Sequence, residues 1–535
     1  MSAKVIRRLG VGSDCLFLLG CKNLKAVCRL DKLKKMFSLK IFLYLATSIA
    51  SPYLKATMNF NTPPTLLELG RRSLLQDEAL TVSALQELPL ELFPALFKDA
   101  FSSEQSIILR HMVVAWPFPC LPVGALMRTP HLETLKAVLG GLDLLLAQKV
   151  QPGRCKLQVL DLRDVNHNFW NVWTGMEDGV FSPDISHPQS LIYHPIQKGK
   201  QAVTVWINLS VNPRHSSKYN EYFYQWAKER KDVVQVNCQK IEFWTNPFYD
   251  PCLLDIVEPS SIQELEVYEH WDLETLAMLA PDLGQMINLQ RLLLHNIHIS
   301  LNWLGNKEVE DYYVRMIIPL FSKLDKLQHL YLNDVCFVNE HLDQVLGCLN
   351  SPLETLVITR CKLSELDMSH LSQCPRVHQL KHLDLSGVDF INLSHEFLAR
   401  LLKRLTATMQ KLKLKSCMIT DFQMDVLLPA LSQCSQLTEV DFLMNFLSMD
   451  ILKKLLQHTA NLRQLTKEMY PAPCEVYDEF GNVLPHRFQQ HCSDLMGTLK
   501  VIRQPKEICF MSNICAGCGE YSVYNLEAVL CSCWQ

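Results

Sequence analysis

The chain has 535 residues, 48% of them hydrophobic and 20% charged, with a formal net charge of −3, a balance that argues against both a disordered chain and a nucleic-acid binder working through bulk positive charge. Glycine is scarce, at 19 residues, and there is no phosphate-loop, G-x-G-x-x-G, G-x-S-x-G or H-E-x-x-H motif, which argues against the common enzyme classes that depend on them. The 20 cysteines are scattered along the sequence with no cleavable signal at the start, a pattern that points to reduced thiols in the cytoplasm or nucleus.

Residues 1–57 read as an extension outside the main fold. A lysine-rich stretch, Asp31–Lys40, precedes an apolar run from Ile41 to Ala50. That run is about half of the ~20 residues a membrane span needs, so no membrane association is expected. Residues 58–150 read as a helical N-terminal cap, in which Leu66, Gly70 and Leu74 lie four apart and share one helical face.

Residues 151–470 carry internal repeats of the form L-x-x-L-x-L. Copies stand at Leu289/Leu292/Leu294, Leu327/Leu330/Leu332, Leu353/Leu356/Ile358, Leu380/Leu383/Leu385, Met409/Leu412/Leu414 and Leu437/Val440/Phe442, at intervals of 38, 26, 27, 29 and 28 residues. Earlier copies begin at Leu157 and Ile262. Two copies extend to L-x-x-L-x-L-x-x-C-x-L, through Cys361 and Cys417, and Asn445 takes the cysteine position in a third. The spacing predicts an α/β fold, a leucine-rich-repeat solenoid of horseshoe form. Short parallel strands spaced about 4.8 Å apart line the concave side, and helices packed at 8 to 10 Å lie outside. Cys361 and Cys417 are expected to be structural groups in the turns.

Residues flanking the inward leucines are expected on the concave face: Tyr331 and Asn333, Val357 and Thr359, Asp384 and Ser386, Lys413 and Lys415, Asp441 and Leu443. Their mixed chemistry suits a folded protein or peptide better than a phosphate backbone, and for each residue the alternative is an ordinary solvated position. Between residues 165 and 261 the repeat fades into irregular copies rich in aromatic residues, including Phe169, Trp170, Trp173, Phe223 and Trp226, read as core, with a long loop near 178–200. Residues 471–535 read as a C-terminal cap with a cysteine-rich tail. Its Cys515, Cys518, Cys531 and Cys533 suit a tetrahedral zinc, reduced structural thiols or a disulfide; no other cofactor is expected.

Particular stretches resemble the PRAME (preferentially expressed antigen in melanoma) family. They include Thr65–Leu69, Ser73–Ala79, Glu87–Pro94, Ala115–Pro122, Lys156–Asp164, Ser351–Leu356, Leu427–Cys434, Tyr470–Pro473 and the tail pattern C-x-x-C-G followed by C-x-C. The resemblance covers about residues 58–533. It implies a non-enzymatic leucine-rich-repeat protein of germ cells or the early embryo. By that resemblance the chain would serve as substrate receptor of a cullin-RING ubiquitin ligase, with elongin- and cullin-type subunits and an unidentified protein substrate as partners, directing proteasomal degradation. The alternative it carries is a transcriptional corepressor scaffold with a pro-proliferative and anti-apoptotic role.

An elongin-binding helix would use Leu66 as anchor, Gly70 as the small buried residue and Leu74 as the later apolar contact; the alternative for this helix is a cap on the first repeat. Three L-x-x-L-L strings, Leu142–Leu146, Leu398–Leu402 and Leu452–Leu456, have the form of nuclear-receptor contacts but are expected to serve the core.

Overall fold

A computed structural model describes residues 65–127, 131–148, 153–165, 168–170, 203–212, 218–245, 253–268, 271–503 and 506–534. The extension 1–57, Trp173 and the loop at 178–200 lie outside them. The chain divides into two compact units: the first runs through Val205 and takes in Lys218–Phe223 and Asp232–Val234, and the second contains Gln235–Gln535 with Trp206–Ser217 and Tyr224–Lys231.

The first unit is mainly helical. Helix α1 (Leu66–Gln76) opens on a capping box in which the Thr65 and Glu68 side chains each accept the other's backbone N–H. Helices α2 (Glu78–Ala84), α3 (Phe93–Ser102) and α4 (Ser106–Val114) follow, then strand β1 (Cys120–Pro122), helix α5 (Leu132–Ala147) and strand β2 (Val159–Asp161). The two strands pair in parallel, Leu121 opposite Leu160, both fully buried. Aromatic rings fill the core. Trp116 lies 5.2 Å from Phe97 and 6.3 Å from Trp170, whose indole N–H donates to the Pro122 carbonyl at 2.8 Å. Helices α4 and α5 approach closely because Gly141 has no side chain: a Cβ there would sit 2.6 Å from the Arg110 carbonyl oxygen.

The second unit is a parallel ladder of strands alternating with helices. Strands β3 (Val234–Phe243), β4 (Glu264–Val267), β5 (Arg291–His298), β6 (His329–Val335), β7 (Thr355–Thr359), β8 (His382–Asp384), β9 (Lys411–Lys413), β10 (Glu439–Asp441), β11 (Lys467–Pro471) and β12 (Glu507–Met511) pair in that order. Helices α6 (Leu273–Leu283), α7 (Lys307–Phe321), α8 (Leu342–Cys348), α9 (Glu365–Gln373), α10 (His395–Arg404), α11 (Asp421–Leu431), α12 (Met449–His458) and α13 (Pro485–Ile502) lie between them in sequence, each packed on the next. One register column of the ladder reads Leu265, Leu292, Leu330, Leu356, Leu383, Leu412 and Val440, all buried. Alternation along each strand sends this column toward the helices and the flanking residues away from them. The unit is a leucine-rich-repeat solenoid.

The same turn ends most rungs. Asn296, Asp334, Arg360, Ser416 and Met444 have φ between 55° and 58°, and Gly387 takes that place with φ +78°. The next residue returns to the core: Cys361, Cys417 and Asn445 are all buried, and the Cys417 thiol donates to the Leu385 carbonyl at 3.1 Å. Burial pushes the Cys417 thiol up to about 12 and the Cys361 thiol up to about 11, which disfavours the thiolate at both.

Candidate functional site

Most of the expected outward positions are half-exposed. Tyr331, Asn333, Val357, Thr359, Asp384, Ser386, Lys413 and Lys415 all lie between core and solvent. Asp384 and Ser386 are partly occupied, because the Asp384 carboxylate accepts the Ser386 N–H at 2.9 Å and the Ser386 hydroxyl accepts the Lys415 N–H of the next rung at 3.3 Å. Asp441 and Leu443 differ from the expectation: both are buried, 7% and 3% exposed. Asp441 lies in register between the long side chains of Lys413 and Met469, and its carboxylate accepts the Leu443 N–H at 3.0 Å. Burial raises its pKa.

A second outward row escaped the sequence reading. Parallel register aligns Lys240, Glu264, Arg291, His329, Thr355, His382, Lys411, Glu439, Lys467 and Glu507 across successive strands. The signal was the residue before each first strand leucine, which becomes informative only when repeats are aligned with one another.

Two carboxylates anchor charge on this face. Glu266 is held by Lys240 at 2.8 Å and Arg291 at 3.1 Å and accepts the Tyr268 hydroxyl at 2.6 Å; Arg291 also stacks 4.3 Å from the Tyr331 ring. Burial pushes the Glu266 carboxyl up, but these cations and hydrogen bonds outweigh it and hold the pKa below the usual range. Glu439 is reached by Lys411 and Lys413 at 3.4 Å and by Lys467 at 3.6 Å. Burial is again outweighed by the lysines, and the Glu439 pKa is lowered. Three ammonium groups thus share one carboxylate.

Between the two clusters, the ring nitrogens of His329 and His382 lie 3.0 and 3.4 Å from the Thr355 hydroxyl. Burial lowers both histidine pKa values, helped at His382 by Lys411.

On helix α1 the expected partner-binding face is turned inward. Gly70 is buried and Leu74 is 3% exposed, while nearby Leu67 is 39% exposed; the Leu66 side chain lies outside the described set. Arg71 ties the helix to Asp99 of α3 at 2.7 Å. Four-residue spacing carries no information on which side of the helix the core lies. The L-x-x-L-L strings at 398–402 and 452–456 have all their leucines buried, as do Leu142 and Leu145 of the first string.

At the other end, β12 continues antiparallel into β13 (Val523–Tyr524) and β14 (Ala528–Val529). Around this meander Cys515, Cys518, Cys531 and Cys533 come together, their sulfurs all within 4.8 Å of one another. No helix among the described residues is long and apolar enough to cross a membrane.

Comparison with known proteins agrees with this architecture. Residues 63–170 match the model of the PRAME N-terminal domain and residues 203–533 that of the PRAME C-terminal domain. Human PRAME family member 12 is 45% identical over 477 residues, 89% of this chain and 98% of that protein. Human PRAME family member 8 is 43% identical over 477 residues, 89% of this chain and all of that protein. Mouse Oogenesin-3 is 42% identical over 471 residues, 87% of this chain and 93% of that protein. With family models matching both units and relatives aligned over nearly their whole lengths, the chain belongs to the PRAME family of leucine-rich-repeat proteins.

Proposed function

We propose that the protein is a non-catalytic adaptor that holds an acidic segment of a partner protein on the outward face of its parallel strands. The observation that carries this reading is the convergence of three cations, Lys411, Lys413 and Lys467, on the Glu439 carboxylate. The lysine-rich region continues into a groove of 640 Å³ lined by Lys467, Lys500 and Lys506 beside Met469, Met496 and Ile508, with Glu468 and Glu507 also on its wall. A strip of lysines beside apolar side chains complements an acidic segment with interspersed hydrophobic residues, and such complementarity sets orientation and encounter rate.

In its finer form, the adaptor brings this partner to a cullin-RING ligase for ubiquitin transfer by other subunits. With Gly70 and Leu74 buried, elongin-type subunits would dock on the exposed side of α1 around Leu67 or elsewhere on the first unit. A corepressor scaffold uses the same strand face without ligase subunits.

Affinity purification with mass spectrometry tests both levels. Lys415→Glu with Lys500→Glu and Lys506→Glu reverses charge beside the face without touching the lysines that hold Glu439. The triple variant is expected to lose the bound acidic partner, which salt also releases from the wild type, while keeping elongin- and cullin-type subunits. A partner set unchanged by charge reversal overturns the strand-face reading, and chromatin regulators without ligase subunits favour the scaffold.

A further inference from the structure

We propose that Cys515, Cys518, Cys531 and Cys533 bind one zinc ion as a tetrathiolate, closing the C-terminal end of the repeat array. The inference is independent of the adaptor reading.

All four thiols are unpaired, and Cys515 and Cys533 have their sulfurs 3.8 Å apart, far beyond the ~2.05 Å of a disulfide. A tetrahedron with Zn–S bonds of about 2.3 Å has its sulfurs about 3.8 Å apart. The four sulfurs, all within 4.8 Å of one another, are already close to that arrangement. Clusters of several irons hold their four cysteine sulfurs further apart, so the separation selects a single ion. Among the described residues no other set of thiols, imidazoles or carboxylates converges in this way.

A tight backbone turn holds the first pair. Residues 515–519 form a tight turn in which Gly519 donates to the Cys515 carbonyl at 2.8 Å, Cys515 donates to the Glu520 carbonyl at 2.8 Å, and Gly519 has φ +74°. The turn returns the chain on itself, so that Cys515 and Cys518 present their sulfurs to one point together with Cys531 and Cys533.

The second pair is fixed from the other side. Cys531 donates its N–H to the Ser522 hydroxyl at 3.1 Å, and Ser532 donates to the Glu520 carboxylate at 2.9 Å. Glu520 thus links both halves. Gly517 leaves room between them: a Cβ there would lie 3.0 Å from the Cys533 sulfur.

The need for a metal follows from the packing. Beyond Phe510, Tyr524 and Cys531 the segment buries few large side chains, and Leu526, Val529 and Trp534 are exposed. A meander with so small a core gains order from a cross-link, and metal binding then contributes directly to its folding.

The test uses the full chain purified at neutral pH under reducing conditions without chelator. Elemental analysis is expected to find one zinc per chain. Mercurial titration should release it as the four thiols react, and cobalt exchange should give the visible bands of a tetrahedral tetrathiolate. Cys518→Ser with Cys533→Ser should lose the metal, whereas Cys474→Ser, at an exposed thiol away from the cluster, should keep it. Wild-type protein without stoichiometric metal, one carrying iron, one with a disulfide within the cluster, or a double variant that keeps its zinc each overturns the proposal. The wild-type measurements decide the matter even where the double variant fails to fold.

Discussion

Asn445 accepts the backbone N–H of Cys417 on its side-chain oxygen at 3.1 Å, joining two successive repeats through one buried amide. The same oxygen accepts Ile419 N–H at 3.0 Å, and the Asn445 amide donates to the Leu414 and Phe442 carbonyls at 2.7 and 2.8 Å. Asn445→Ala strands two donors and two acceptors in the core. At about 1–3 kcal/mol for each unsatisfied group, a loss of at least about 3 kcal/mol is expected in denaturant unfolding. Asn445→Cys, which copies the Cys361 and Cys417 positions, should lose less; equal losses would show that the hydrogen bonds contribute little.

Glu468 occupies the place in the buried column that Val440 holds one strand earlier and Ile508 one strand later. It is fully buried, bound by Arg503 at 2.5 and 3.0 Å and by the Tyr470 hydroxyl at 2.6 Å. Glu468→Leu alone leaves the Arg503 guanidinium without its carboxylate and should cost about 3–5 kcal/mol. Glu468→Leu with Arg503→Met replaces the pair by apolar groups and should recover most of that loss. A double-mutant cycle measures the coupling, and additive losses would contradict it.

The His329–Thr355–His382 row gives the fold a pH dependence. Both folded pKa values lie below the unfolded value of 6.5, so the unfolded chain binds protons first as pH falls. Stability contributed by the neutral rings is full above about pH 6.5 and declines below it, through the lowered folded values. Melting temperatures are expected to fall on acidification from neutrality toward pH 5, and His329→Gln with His382→Gln should flatten that slope. A slope equal to wild type would place the pH sensitivity elsewhere.

Gly387 and Arg360 test the repeated left-handed turn. Gly387→Ala forces a side chain into φ +78° and to 3.0 Å from Arg360 Cγ, and should cost about 1–2 kcal/mol. Arg360→Gly removes strain at φ 55° on an exposed residue and should be neutral or slightly stabilising by thermal melting. Destabilisation by the second change as large as by the first would contradict the turn assignment.

The leucine period was readable in the chain because two-residue alternation fixes which side of a strand faces the helices, and Leu292 through Val440 obey it. Glu468 was not readable, since a carboxylate at a leucine position breaks the pattern and its partner Arg503 stands 35 residues away. Asp441 and Leu443 looked outward by the same alternation; their burial depends on neighbouring rungs, which one repeat cannot show. The four tail cysteines could be listed from their spacing, but their convergence depends on an antiparallel meander with no strong local pattern. For helix α1, four-residue spacing marked a face without telling whether it met solvent or protein.

The outward rows also bear on how such a surface can change. Each outward residue neighbours mainly the same rung of the strands before and after it, while the leucine column beneath is set separately. Substitutions on that surface can therefore accumulate repeat by repeat, each a local experiment in specificity, without the interior being redesigned. Relatives that differ at more than half of their positions can keep one scaffold beneath different outward surfaces.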